Sequence, residues 1–107
     1  MDKYQCIVTV TTRGNGAEVI EASKRKGATG GTILSGKGSS VYETKKLFSA
    51  FLEPEKEVVI ILIEASKASV VMEEIRKAMD IDTPGKGIIF VFDVEDVKGI
   101  TPLDSLQ

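Results

Sequence analysis

Two short glycine–lysine clusters carry the residue types best suited to chemistry in this chain. Gly36-Lys37-Gly38-Ser39-Ser40 and Gly85-Lys86-Gly87 each set a lysine between glycines. Glycines let successive backbone N–H groups turn toward one anion, and the lysine adds a positive charge. Neither cluster has the phosphate-loop spacing G-x-x-x-x-G-K-[ST], so each also reads as a plain turn or flexible loop. Other chemistries find less to work with. The chain has no His, and so lacks the commonest general base and metal ligand. Its one Cys, Cys6, sits in the apolar stretch Cys6-Ile7-Val8 and reads as a buried small hydrophobe rather than a nucleophile. Glu53, Glu55 and Glu57 alternate without complementary ligands and read as a solvated acidic edge. We therefore expect no catalytic residues and no metal site.

Composition narrows the class. The chain has 107 residues, 42% hydrophobic and 28% charged, an ordinary balance for one globular domain spanning 1–107. Its net charge of −2, with two Tyr, four Phe and no Trp, suits neither phosphate-backbone binding nor base stacking. Nucleic acid is not an expected partner. A single thiol suits a reducing compartment. The polar start Met1-Asp2-Lys3-Tyr4 shows no secretory signal, so the expected location is the cytoplasm. The apolar run Val58 to Ile63 is too short to cross a bilayer.

The elements that must hold the two clusters follow from pattern. Tyr4 to Thr11 is rich in β-branched residues and predicts a strand. A turn at 12–16 leads into a helix over Ala17 to Lys26, with Asn15 or Gly16 as its cap and Gly27 as its stop. Thr29 to Ser35 predicts a second strand, whose Gly30-Gly31 pair suggests a close backbone approach. Residues 37–55 form a long irregular excursion, expected to be functional or mobile. Glu57 to Ile63 is the strongest strand signal. Ser66 caps a helix over Lys67 to Met79, with Val71, Ile75, Ala78 and Met79 on one face. Asp82 to Gly87 is a turn, Ile88 to Val94 a fourth strand, and 95–107 a tail.

The order is strand–helix–strand, loop, strand–helix–strand. It predicts an α+β fold of ferredoxin-like βαββαβ type, with a four-stranded antiparallel sheet and two helices on one face. Such a sheet should alternate apolar and polar. Val58 to Ile63 and Ile88 to Phe92 do not alternate. Both are apolar front and back, while helices cover one side. The exposed patch would be large enough to favour burial against identical subunits. Coverage by the chain's own loop or tail is the other reading.

These residues together resemble the nitrogen-regulatory PII family. Gly27-Ala28-Thr29-Gly30-Gly31-Thr32 followed by Gly36-Lys37-Gly38 is similar to the strand entering that family's T-loop. Phe51-Leu52-Glu53-Pro54 is similar to the loop's exit. Thr83-Pro84-Gly85-Lys86-Gly87-Ile88-Ile89-Phe90-Val91 is similar to the B-loop and its strand, and Asp93 to Val97 to the segment beyond. The resemblance implies a homotrimer with ATP or ADP, sometimes with 2-oxoglutarate, in clefts between subunits. It implies a signalling role in which the T-loop contacts a membrane transporter or metabolic enzyme. Carried over by position, the ligand-binding residues are Thr32, Gly36, Lys37, Gly38, Ser39, Gly85, Lys86, Gly87 and Ile88. The partner-binding loop contributes Tyr42, Lys45, Lys46, Phe48 and Phe51.

The pattern departs from the family where cations neutralise phosphate. Ile88 stands where a Lys is usual, Glu55 where another is usual, and Gly99 and Thr101 near two Arg positions. Charge-assisted contacts are the strong ones, so the effector stays open among ATP, ADP and AMP, and 2-oxoglutarate is the least supported. A ligand-independent interaction module on the same trimeric fold is the alternative. A small acylphosphatase-like enzyme is a remote one, with Arg13 its single candidate for a phosphate-binding arginine.

Overall fold

A computed structural model describes residues 3–39 and 55–100. Six elements follow in order: β1 (Tyr4–Thr12), α1 (Gly16–Arg25), β2 (Thr32–Lys37), β3 (Glu55–Glu64), α2 (Ala65–Met79) and β4 (Ile88–Val94). The four strands form one antiparallel sheet in the order β2-β3-β1-β4. This is the expected ferredoxin-like arrangement, with both helices packed side by side on one face.

Register decides which side chains meet the helices. Ile7 lies opposite Ile61, and Thr9 lies between Val59 and Ile89. Strand side chains alternate faces, so these odd-numbered residues share the helix side. There Ile7, Val59, Ile61 and Ile63 pack on Val19 and Ala22 of α1 and Ala68, Val71, Ile75 and Met79 of α2. The spacing 68, 71, 75, 79 is one helical face. Of the face expected from sequence, Ala78 lies at its margin, only partly buried. Cys6 is buried, as its apolar setting suggested, and burial pushes its thiol pKa up.

The opposite sheet face carries the even-numbered residues. Leu34 on β2, Leu62 on β3 and Ile88, Phe90 and Phe92 on β4 are all exposed, Phe90 by 44% and Phe92 by 50%. The two runs that failed to alternate thus present apolar groups on both sides. The long loop and the tail, offered as the alternative cover, lie outside the described residues.

Several boundaries differ from the sequence reading, β3 among them, which runs Glu55–Glu64 rather than Glu57 to Ile63. β2 begins at Thr32 and ends at Lys37, not at Thr29 and Ser35. Its Gly36 pairs with Lys56 and its Lys37 with Glu55, so the expected loop start at Lys37 and loop exit at Glu55 are both strand. Gly30 and Gly31 precede the strand, and the close approach expected of the pair holds at Gly31 but not at Gly30, where a Cβ would meet nothing among the described residues within 4 Å. A Cβ on Gly31 would lie 2.9 Å from Ile61 Cγ1 and 3.0 Å from the Ile60 carbonyl oxygen. α2 starts at Ala65, with Glu64 rather than Ser66 as cap, because the Ala65 N–H is already held by the Lys3 carbonyl at 2.9 Å. α1 starts at Gly16, and Asn15 occupies the cap position without a side-chain cap bond.

Candidate functional site at the loop end of the sheet

β1 and β2 end, and β3 and β4 begin, at the same end of the sheet. Leu34, Val58, Val10 and Ile88 form one row across all four strands. Just beyond this row stand both glycine–lysine clusters.

The first cluster continues the edge strand β2. Gly36 and Lys37 extend the pairing with β3. A Cβ on Gly38 would meet the stem of Lys56 at 3.4 Å, ordinary contact, so the chain runs close over that lysine. Lys37 and Ser39 are exposed. Thr32 lies lower on the same edge, opposite Ile60, and is exposed.

The second cluster leads into the other edge strand, β4. Asp80 closes α2 in a left-handed conformation, φ 54, and its carboxylate accepts the Thr83 hydroxyl at 2.8 Å. The Lys86 N–H donates to the Thr83 carbonyl at 3.2 Å. The Thr11 hydroxyl donates to the Lys86 carbonyl at 3.4 Å, a long bond. Gly87 lies flat against β1: its φ is +138, and a Cβ there would sit 2.5 Å from the Val10 carbonyl oxygen. Only glycine fits both the conformation and the space. The turn is thereby pressed to the sheet, with Gly85, Lys86 and Ile88 facing solvent.

Between the two edges, the β1–α1 turn is stitched to the start of β3. The Arg13 N–H donates to the Glu55 carbonyl at 3.2 Å, and the Arg13 guanidinium pairs with the Glu55 carboxylate at 3.0 Å. Glu57 then reaches the first turn of α1 and accepts the Gly16 N–H at 2.7 Å. Helix N-termini leave N–H groups unpaired and favour negative charge. A strand residue here supplies the cap that Asn15 does not. Sequence reasoning missed this pair, because the partners are 41 residues apart and no local signal links them. The acidic edge expected at Glu55 and Glu57 is instead engaged, one residue with a guanidinium and the other with a helix. Arg13, the residue singled out for an acylphosphatase-like reaction, is held by Glu55.

The ligand-binding residues carried over by position fall into two groups. The fold brings Gly36, Lys37, Gly38 and Ser39, with Thr32 below them, to the β2 edge. It brings Gly85, Lys86, Gly87 and Ile88 to the β4 edge. Two strands separate the edges, so the groups stand about 14 Å apart at the usual strand spacing. Within one chain they do not converge. Tyr42, Lys45, Lys46, Phe48 and Phe51 lie outside the described residues. A separate, largely apolar concavity of about 270 Å³ lies between α2 and β4, lined by Ser69, Met72, Glu73, Arg76, Ile81 and Ile89. None of the residues selected from sequence lines it. Among the described residues, no helix is long and apolar enough to cross a membrane.

Comparison with known proteins agrees with this architecture. The family model for Nitrogen regulatory protein P-II matches residues 4–103. No curated protein matches the chain. Among solved structures, Arabidopsis thaliana PII bound to citrate superposes with a TM-score of 0.71 at 19% identity, covering 92% of this chain and 84% of that one. The B. subtilis GlnK–ATP complex superposes with a TM-score of 0.63 at 18% identity, covering 87% of this chain and 85% of that one. With a family match running from the first strand to beyond the last, on a sheet of the expected order, this chain belongs to the nitrogen regulatory protein P-II family.

Proposed function

We propose that this protein is a cytoplasmic signal-transduction trimer that senses a small anionic ligand, an adenine nucleotide, and regulates a partner protein through the loop spanning 37–55. The observation that carries the reading is the separation of the two glycine–lysine clusters at opposite edges of one sheet end. A single chain leaves each cluster a half-site. Copies joined with the β2 edge of one beside the β4 edge of the next would set Lys37 and Lys86 around a common cleft. The exposed apolar face on β3 and β4 supplies the reason for copies to join, since its burial is favourable by about 25 cal/mol per Å². The citrate and the ATP in the two superposed structures support an anion as the ligand class.

The regulatory step follows from where Lys37 stands. It ends β2 and begins the excursion, so a ligand gripping Gly36 to Ser39 acts on the first residues of the loop. A ligand shifts loop order only by binding the two loop states unequally. Partner binding would then track ligand occupancy, with a membrane transporter or a metabolic enzyme as the partner class.

Calorimetry with ATP, ADP, AMP and cyclic nucleotides tests the ligand. Mixing the inactive variants Lys37→Ala and Lys86→Ala tests the shared cleft. Reassembled mixed oligomers should recover part of the binding, because some clefts then hold both lysines. Absence of heat and of thermal shift with every nucleotide would overturn the ligand reading.

A second reading is a ligand-independent interaction module, favoured by one observation. Ile88 stands 55% exposed at a position where the family usually carries a phosphate-binding lysine. In that case the same partner is captured with and without nucleotide.

A further inference from the structure

Arg13 stands between the two half-sites, and the fold leaves its guanidinium able to change partners. β1 lies between β3 and β4 in the sheet. The turn that follows it therefore emerges between the loop exit at Glu55 and the turn that carries Lys86. Neighbouring strands run about 5 Å apart. The Thr11 hydroxyl and the close seat of Gly87 on the Val10 carbonyl fix the Lys86 turn to the same strand end. The backbone around Arg13 is pinned on both sides. Its own N–H is held by the Glu55 carbonyl at 3.2 Å, and the Gly16 N–H by the Glu57 carboxylate at 2.7 Å. The side chain is held far less firmly. Its 3.0 Å pairing with the Glu55 carboxylate joins two groups that are 70% and 52% exposed, and ion pairs in water hold weakly. A phosphate is a strong competitor, because it carries more charge and accepts two parallel guanidinium N–H bonds. Next to Arg13, Gly14 takes a φ of +97, and a Cβ there would meet nothing among the described residues within 4 Å.

We infer that Arg13 is a ligand-binding residue of the proposed cleft: its guanidinium exchanges the Glu55 carboxylate for a phosphate of the nucleotide held at the Gly85-Lys86-Gly87 turn. This deepens the proposed function and rests on it. The released carboxylate is not stranded, since Glu55 lies opposite Lys37 in the β2–β3 register. The exchange thus links a phosphate at one half-site to the strand pair at the foot of the loop. Glu55 acts as the ligand's competitor for Arg13, so its removal should help the ligand only while Arg13 is present.

A double-mutant cycle tests the exchange, read by calorimetry with AMP, ADP and ATP and with adenosine as the phosphate-free control. Arg13→Gln should weaken every nucleotide the parent binds by about tenfold or more, the worth of a charge-assisted contact. Its circular dichroism and its adenosine binding should stay as in the parent. Glu55→Gln should tighten nucleotide binding several-fold, yet change nothing in the Arg13→Gln background. A general effect of losing one negative charge would instead tighten both backgrounds alike. Parental nucleotide affinity in Arg13→Gln, or an equal gain from Glu55→Gln in both backgrounds, would overturn this inference and leave the nucleotide-sensing reading standing. Failure of every nucleotide to bind the parent would overturn both.

Discussion

Single side chains show how closely the loop end is fitted. A Cβ on Gly16 would lie 2.6 Å from Glu57 Oε1 and 3.2 Å from two carbons of Ile33. Gly16→Ala must push the carboxylate off the helix N-terminus or displace β2, so it should cost about 1–2 kcal/mol, the worth of a lost helix cap, read as a lower Tm. Glu57→Ala should cost a similar amount, and the double variant should cost less than the two together, since both break one contact. Thr9 behaves in the opposite sense. It is fully buried on the helix side, and its hydroxyl has no hydrogen-bond partner among the described residues. An unpaired buried hydroxyl is unfavourable by about 1–3 kcal/mol. Valine has nearly the same shape, so Thr9→Val should raise Tm; a lower Tm would show that the hydroxyl is satisfied in solution.

Among the elements, the helix pair is joined across its exposed seam by Arg25 near the end of α1 and Glu74 on α2, at 3.0 Å. The Arg25 hydrogen bond, with a smaller push from nearby positive charge, holds the Glu74 carboxyl below its ordinary value of 4.5. Arg76 does the same for Glu73. A carboxylate whose folded pKa is lowered contributes stability above its unfolded pKa, and that contribution drains away as pH falls through the folded value. Melting temperature should therefore hold through neutral pH and drop below about pH 4.5, the ordinary carboxylate value. Arg25→Gln should lower Tm at pH 7 by about 1–3 °C and by less at pH 3, where the carboxylate is already protonated. The same elements show what the sequence could and could not reveal. Ile88–Val94 was legible to the residue, because five consecutive apolar residues leave few alternatives. The two helices were legible to within two residues at each end, since their buried spacings follow 3.6 residues per turn. β2 was read three residues early, since Thr29-Gly30-Gly31 looks extended, while its true span is set by pairing with β3, which no local pattern encodes. The glycine–lysine clusters were visible as possible anion cradles; that they stand at opposite edges was not, because strand order decides it. Glu57 was misread as a solvated charge for the same reason: its partner is distant in sequence.

For the molecule as a whole, the central question is what covers the second sheet face. Its apolar residues run across three strands in register: Leu34 on β2, Leu62 on β3, and Ile88, Phe90 and Phe92 on β4, all exposed. The buried Cys6 and Val8 of β1 lie on the same face between them. Scattered exposed hydrophobics need no explanation, but a contiguous set on one face marks an interaction surface. If copies meet there, a charge in the middle of the patch must disrupt assembly while leaving the helix-side core untouched, since Phe90 is absent from that core. Phe90→Lys should therefore shift the protein to a monomer by light scattering at micromolar concentration, with its circular dichroism preserved. Nucleotide binding should vanish in the same variant, although none of the glycine–lysine residues has changed. That coupling separates a shared cleft from a site complete within one chain. A monomeric Phe90→Lys that still binds nucleotide at parental affinity would place the whole site on a single sheet end. The roughly 14 Å between the two edge strands, three strand spacings, would then have to be bridged by the ligand itself.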